Sequence, residues 1–225
     1  MEGSYPACAK CPYAAEERLC SSVQGKGMPS CPTADIELLE KAQFEFENQF
    51  IKEFARQASI QEGEGYRNRN PQNTCPEPCK PRLLEIVEFA WKMSFRKLGL
   101  AFCTGLSREA EAVEEYLSAR GFEVVSVICK AGRIQKEFIG VKDNEKIRPG
   151  TDESMCNPIF QAMVLNKAET EFNIMIGLCV GHDSLFLKYS DALCTVLAAK
   201  DRISAHNPLA AVYTLESYYR YLKKE

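Results

Sequence analysis

The feature that most constrains the fold is an alternation of short apolar segments and amphipathic segments along residues 81–225. The apolar segments are separated by segments with helical periodicity. Strands joined through helices make right-handed crossovers, which build a parallel sheet. We therefore predict a Rossmann-like three-layer α/β domain with a mainly parallel sheet over residues 81–225. The segments with the length of buried strands are Gly99–Cys103, Glu123–Cys129, Phe172–Cys179 and Asp191–Ala198.

Cysteines end three of these four predicted strands, and a fourth cysteine precedes a helix that begins on the same side. Sites in open parallel sheets form outside the carboxyl ends of the strands. We therefore expect one site here. His182, which closely follows the third strand, belongs to it. The residues expected at this edge are Cys103, Cys129, Cys156, Cys179 and His182. Cys194 lies in the middle of the fourth predicted strand and is interpreted as a core residue.

Two kinds of chemistry fit a group of thiols at one sheet edge. The four cysteines could share a metal ion or cluster, since soft thiolates favour zinc, copper(I) or iron–sulfur. Alternatively, one thiolate acts as a nucleophile or redox centre. Cys179 would then be the nucleophile, and His182 or His206 would carry protons. Arg202 would hold an anionic ligand.

Backbone features of this region predict a small anionic ligand as a partner. Gly177 and Gly181 permit a sharp turn and leave N–H groups free to face a ligand. Asn157 is the predicted N-cap of a helix that begins at Pro158, and helix N-termini attract anions. The glycine spacing matches neither a P-loop nor a G-x-G-x-x-G fingerprint, so no nucleotide-binding motif is present.

Residues 1–33 form a separate segment with the spacing C-x2-C-x8-C-x10-C. The segment has almost no aliphatic periodicity, so it cannot order itself by burying apolar surface. A metal bound by four thiolates would supply the missing folding free energy. Zinc is the predicted metal and an iron–sulfur cluster is the alternative, since two of the cysteines precede prolines. The predicted ligands are Cys8, Cys11, Cys20 and Cys31.

Residues 34–80 are predicted to contain a long helix followed by a polar connection. The helix would run from Thr33 to about Arg56 and place an apolar stripe in a core. The stripe consists of Ile36, Leu39, Gln43, Phe46, Phe50 and Phe54. Cys75 and Cys79 lie in the connection as a C-x3-C pair, which suits a metal, a redox pair or no function.

Composition argues against several classes of function. The net charge of −3 gives no support for nucleic-acid binding. No apolar run reaches the length of a membrane span, and the first residues lack the apolar region of a signal peptide. We therefore expect a cytoplasmic protein without membrane partners. Eleven cysteines cannot all pair within one chain, and a reducing compartment disfavours disulfides.

Several of these motifs together resemble the DUF1847 family of small bacterial and archaeal proteins. The strings are FCTGL at 102–106, CKAG at 129–132, MCNP at 155–158, GLCVGHDSLF at 177–186, KYS at 188–190, KDR at 200–202 and HNP at 206–208. The resemblance covers most of the chain and includes the N-terminal cysteines, whereas Cys75, Cys79 and Cys194 do not belong to the pattern. It implies metal binding and assigns no reaction.

Overall fold

The structure, a computed structural model, describes residues 5–70, 72 and 75–223. Residues 1–4, 71, 73 and 74 lie outside the described residues. The prediction that the chain lacks a signal peptide concerns the first of these, and part of the predicted polar connection concerns the others. Packing divides the chain into two compact units, one up to Ile60 and one from Gln61 onward.

The first unit contains short 3-10 turns and two helices, α1 (Ile36–Phe44) and α2 (Gln49–Glu64), the second of which continues past the unit boundary. The prediction of one unbroken helix is wrong, because a 3-10 turn at Glu45–Glu47 interrupts it. The side chain of Asn48 accepts the backbone N–H groups of Phe50 and Ile51 at 2.9 and 3.2 Å. This local bonding competes with a continuous helix and starts α2 afresh.

The predicted burial of the apolar stripe on these helices is also wrong. Ile36 is 58% exposed, Phe46 45% and Phe50 48%, and none of the described residues before Gln61 is buried. The stripe has helical spacing, but this unit forms no core around it. Its helices therefore derive their local order from caps, such as Asp35 accepting the N–H of Leu38 at 3.1 Å.

The second unit begins with a short antiparallel hairpin of β1 (Tyr66–Arg67) and β2 (Glu77–Pro78). The alternating part of the chain follows. It contains α3 (Arg82–Lys92), β3 (Lys97–Phe102), α4 (Ser107–Ser118), β4 (Glu123–Ile128), α5 (Pro158–Lys167), β5 (Phe172–Ile176), α6 (His182–Tyr189), β6 (Cys194–Ala198) and α7 (Leu209–Tyr213).

The four long strands form one parallel sheet in the order β4-β3-β5-β6. Helices α4 and α5 both pack on β3 and β4. The two crossovers run in opposite directions across the sheet, so right-handed connections place these helices on opposite faces. The predicted α/β class with a parallel sheet is confirmed, and the more specific Rossmann-like assignment stays a prediction.

The central strands are apolar because both of their faces are covered. All five residues of β5 are buried, including Asn173, whose amide donates to Ser190 Oγ at 2.8 Å and accepts from Thr170. Met175 packs with Leu165 of α5 and with the fully buried Phe186 of α6. This core lies directly beneath the carboxyl ends of β3, β4 and β5.

Two predicted elements at the end of the chain differ from the structure. The sequence after Pro208 predicts a last helix that continues to about Lys223, but α7 ends at Tyr213 and only turns and a 3-10 turn at Arg220–Lys223 follow. Cys194 opens β6 instead of lying in its middle. It is half-buried against the core, with Sγ 3.2 Å from Ser190 Oγ.

Among the described helices, none combines the length and the apolar character that a membrane crossing requires.

Candidate thiolate site at the carboxyl edge of the sheet

Three cysteines meet at the carboxyl edge of the sheet. Cys103 follows β3, Cys129 follows β4, and Cys156 lies two residues before α5. The Sγ atoms of Cys156 and Cys129 are 3.7 Å apart, and Cys129 is also hydrogen-bonded to Cys103. Cys129 in addition accepts the backbone N–H of Thr104 at 3.4 Å. We call Cys103, Cys129, Cys156 and the neighbouring His182 the edge cluster.

A long connection joins β4 to α5. Hydrogen bonds from the backbone and side chains at the start of α5 bring Cys156 back to the sheet. The N–H of Asn157 donates to the carbonyl of Cys129 at 2.8 Å. Its side chain accepts the N–H of Phe160 at 3.0 Å, so the predicted N-cap is confirmed. The buried amide of Gln161 then donates to the carbonyls of Phe102 and Val127, which ties α5 to both strand ends.

The three sulfur atoms differ in acidity because they share hydrogen bonds. The bond from Cys129, with smaller contributions from Gly105 and Lys200, lowers the pKa of Cys103 to about 5. The bonds from Cys129 and His182 lower the pKa of Cys156 to about 4. The pKa of Cys129 is raised by its bonds to both neighbours. Cys129 is therefore the least acidic of the three, and Cys103 and Cys156 are more acidic than an ordinary thiol.

His182, the first residue of α6, completes the edge cluster. Its hydrogen bond to Cys156 raises the pKa of the imidazole, although partial burial opposes the shift. Its Nδ1 atom is buried and has no hydrogen-bond partner within the described part of the chain. A buried ring nitrogen without a partner can become a metal ligand or a proton carrier.

Cys179 and Arg202, which were predicted at the same edge, form a pair of their own. Arg202 Nη2 donates to Cys179 Sγ at 3.2 Å. Cys179 is half-buried in the turn after β5, whereas Arg202 is exposed. Because Arg202 is exposed, its remaining guanidinium donors are accessible to an anion.

His206 is held within its own turn. Its Nδ1 accepts the backbone N–H of Asp201 at 3.2 Å, and its own N–H donates to the Asp201 carbonyl at 2.9 Å. These two bonds give His206 a structural role in the turn that follows β6. Its predicted role as a proton carrier stays a prediction.

The two glycines around Cys179 adopt the turn conformation that the sequence predicts. Gly177 and Gly181 have φ of 61° and 84°. Their N–H groups are used internally, since Gly177 donates to the carbonyl of Ala198 and Gly181 to the carboxylate of Asp183. The prediction that these N–H groups are free for a ligand is therefore wrong. The turn uses them to hold its own shape.

The four N-terminal cysteines surround one cavity of about 140 Å³. This cavity is lined by Cys8, Cys11, Cys20 and Cys31, together with Arg18, Lys26 and apolar neighbours. In the second unit, Cys79 lies against the hairpin, with its Sγ 3.3 Å from the carbonyl of Gly65. Within residues 5–70, 72 and 75–223, no three Cys, His, Asp or Glu side chains are grouped so that they could hold one metal ion.

Two lysines at this edge were not predicted from the sequence. Lys200 hydrogen-bonds to Cys103, and Lys130 acts on Cys156 through its charge. Each lies two residues past the end of a strand, and that position is the signal that identifies them. Lys130 also lines a cavity of about 480 Å³ with Arg148, hydroxyl-bearing residues and the acidic residues Asp152 and Glu153. Its Nζ donates to the carbonyl of Ser154 at 2.5 Å.

Comparison with known proteins identifies the family to which the chain belongs. No solved structure matches the chain. An uncharacterised protein of Methanocaldococcus jannaschii is 49% identical over 145 residues, which cover 64% of this chain and 71% of that protein. The model of the DUF1847 family, described as proteins of unknown function, matches residues 31–197. That range includes the edge cluster and Cys179, but it begins at Cys31, after the other three N-terminal cysteines. The chain belongs to the DUF1847 family.

Proposed function

We propose that the protein binds a soft metal ion, with zinc as the principal candidate, at the edge cluster. The observation that carries the proposal is the 3.7 Å separation of the Cys129 and Cys156 sulfur atoms. Two thiolates bound to one tetrahedral zinc at about 2.3 Å lie roughly 3.8 Å apart. The two sulfurs thus already have the spacing of two ligands on one ion.

The remaining ligands of such an ion are close at hand. Cys103 contacts Cys129 from the other side, and His182 offers its unpartnered Nδ1. One or both of these side chains would have to move toward the ion to complete its coordination shell. Lys130 and Lys200 would offset the negative charge of the thiolates.

Titration with cobalt(II) tests this proposal. The protein titrated is a variant of the whole chain in which the four N-terminal cysteines are serines, so that only cysteines of the second unit can bind cobalt. We expect one cobalt ion per chain, with intense sulfur-to-cobalt charge-transfer absorption that falls in Cys129→Ser and Cys156→Ser. Cys194→Ser is the matched control, since this half-buried cysteine bonds to Ser190 outside the cluster. Equal binding and equal spectra in all three variants would exclude the edge cluster as the site.

A second candidate function is thiol catalysis on a small anionic molecule. The observation that favours it is the cavity of about 480 Å³ next to the edge cluster, within the size range of small-molecule sites. Three of its lining residues, Thr104, Lys130 and Ser154, lie within two positions of Cys103, Cys129 and Cys156 in the sequence. Cys156 would attack an electrophilic centre, and His182 would donate a proton to the leaving group.

Metal-free protein distinguishes the two functions. Small phosphates and carboxylates are tested for their ability to slow alkylation of Cys156 in the apoprotein. Saturable protection that is lost in Lys130→Ala supports catalysis on an anion. Lack of protection by every anion, together with tight cobalt binding, supports the metal function alone.

A further inference from the structure

The N-terminal unit has a defined backbone without a core. None of its described residues is buried. Its loop is nevertheless closed by backbone bonds, since Leu19 donates to Lys26 and Lys26 donates to Glu17 at 2.9 and 2.8 Å. Gly25 packs so tightly on this loop that a Cβ atom would lie 2.3 Å from the Arg18 carbonyl oxygen. A loop this well formed needs a source of folding free energy other than apolar burial.

The four cysteines reach one cavity from separate turns of this loop. Cys8 and Cys11 lie in a 3-10 turn closed by the Cys11 N–H and the Cys8 carbonyl at 3.1 Å. Cys20 follows the backbone-paired segment, and the N–H of Cys31 donates to the carbonyl of Met28 at 2.9 Å. The geometry of three separate local turns thus directs four thiols at one space.

The size of that space discriminates between metal centres. Four thiolates on a single zinc ion, each about 2.3 Å from it, touch one another and enclose nothing but the ion. The cavity here has a volume of about 140 Å³. An engineered protein cavity of ~150 Å³ holds a benzene molecule. The N-terminal cavity therefore suits a polyatomic group that takes one thiolate at each of several corners.

The lining also suits an inorganic cluster. Leu19 and Met28 shield one part of the cavity, and Arg18 and Lys26 add two positive charges. Arg18 is fixed by a bond from its Nε to the carbonyl of Tyr13 at 2.9 Å. Cations and apolar shielding offset the net negative charge that four thiolates leave on an iron–sulfur cluster.

We propose that Cys8, Cys11, Cys20 and Cys31 hold a four-iron iron–sulfur cluster instead of a single zinc ion. None of these ligands belongs to the edge cluster, so either proposal can fail while the other holds. Each cysteine binds one iron atom through its thiolate, as is general for four-iron clusters held by four cysteines.

Anaerobic reconstitution of the full-length chain with ferrous iron and sulfide tests the proposal. We expect about four iron atoms and about four acid-labile sulfides per chain, with broad visible absorption. Cys11→Ser and Cys20→Ser should each lose most of the sulfide. Cys156→Ser, the matched control in the edge cluster, should retain all of it. Electron paramagnetic resonance of the reduced, unmodified chain gives a reading that does not depend on any variant.

Two outcomes would overturn the proposal. In one, the chain takes up one zinc ion at the N-terminal cysteines, acquires no sulfide and gives no cluster signal after reduction. In the other, the cluster forms but is lost in Cys156→Ser and retained in both N-terminal variants, which would move it to the edge cluster and revise the proposed zinc function there. Loss of edge cobalt binding with a retained N-terminal cluster would refute only the proposed function.

Discussion

At the scale of single residues, the edge cluster owes its character to hydrogen bonds between neighbouring sulfur atoms. Cys129 bonds to both neighbouring cysteines and lowers their pKa values, while His182 and two lysines supply positive charge. The presence of thiols at this edge follows from the sequence, because Cys103 and Cys129 directly follow strands. The order of acidity of the three thiols does not follow from the sequence, because it depends on which sulfur atom lies between the other two.

The acidity of Cys156 gives a prediction for its reactivity with pH. Because its pKa is lowered to about 4, Cys156 stays a thiolate as the pH falls from neutral to about 6. An ordinary thiol with a pKa near 8.5 is then less than about one per cent ionised. Alkylation of the metal-free protein at about pH 6, followed by peptide mass spectrometry, should therefore label Cys156 far faster than Cys194, whose pKa burial raises.

His182→Gln tests the cause of that acidity. Loss of the imidazole bond should raise the pKa of Cys156 and slow its labelling at about pH 6 several-fold, with little change at alkaline pH. Equal rates in the parent and in His182→Gln across the whole pH range would show that His182 does not contribute to the acidity.

Gly177 gives a prediction about backbone conformation and close packing. Its φ is 61°, and an added Cβ would lie 2.2 Å from Leu106 Cδ1. Gly177→Ala should therefore lower the free energy of unfolding by about 2–4 kcal/mol in urea denaturation. Gly105→Ala is the control, since its nearest contact would be Lys200 Nζ at 3.8 Å, and it should cost less than about 0.5 kcal/mol. Equal losses in the two variants would contradict this account of the turn.

At the scale of elements, sequence patterns succeed where both faces of an element are covered. Strand β5 is apolar throughout apart from Asn173 and is buried throughout. Patterns fail where an apolar stripe lacks a partner, as on α1 and α2, or where a side chain interrupts a helix, as Asn48 does. The alternation of strands and helices was predictable for this reason, and the exposed stripe was not.

The candidate site follows the same rule. The end of each strand and the N-cap at Asn157 are local features, so the sequence predicts them. The pairing of Cys179 with Arg202 and of His206 with Asp201 depends on how the segment after β6 folds back. No local pattern determines that path, so the sequence does not predict these two pairs.

The cap of α5 gives a prediction at this scale. Asn157 is buried, accepts the N–H of Phe160 and directly follows Cys156. Asn157→Ala should lower the free energy of unfolding by about 1–2 kcal/mol. Asn157→Ser retains a capping oxygen and should recover more than half of that loss. Urea denaturation followed by circular dichroism measures both, and identical losses in Ala and Ser would contradict a capping role.

At the scale of the whole molecule, the two units are stabilised in different ways. The unit from Gln61 onward contains a continuous core around the parallel sheet. The described residues up to Ile60 include none that is buried, so that unit depends on caps and turns and, in our proposal, on a centre held by its four cysteines. We infer that loss of bound metal affects the units unequally.

Limited trypsin digestion measures this difference. Anaerobic protein reconstituted with iron and sulfide is compared with chelated protein, and cleavage after Lys10, Arg18 and Lys26 is followed by mass spectrometry. We expect these sites to be cut at least about tenfold faster after chelation, because opening of a unit without a core then costs little free energy. Cleavage within the sheet should change much less, since apolar burial holds that unit without metal. Protection of Lys10, Arg18 and Lys26 that survives chelation would show that the N-terminal unit folds without a metal centre.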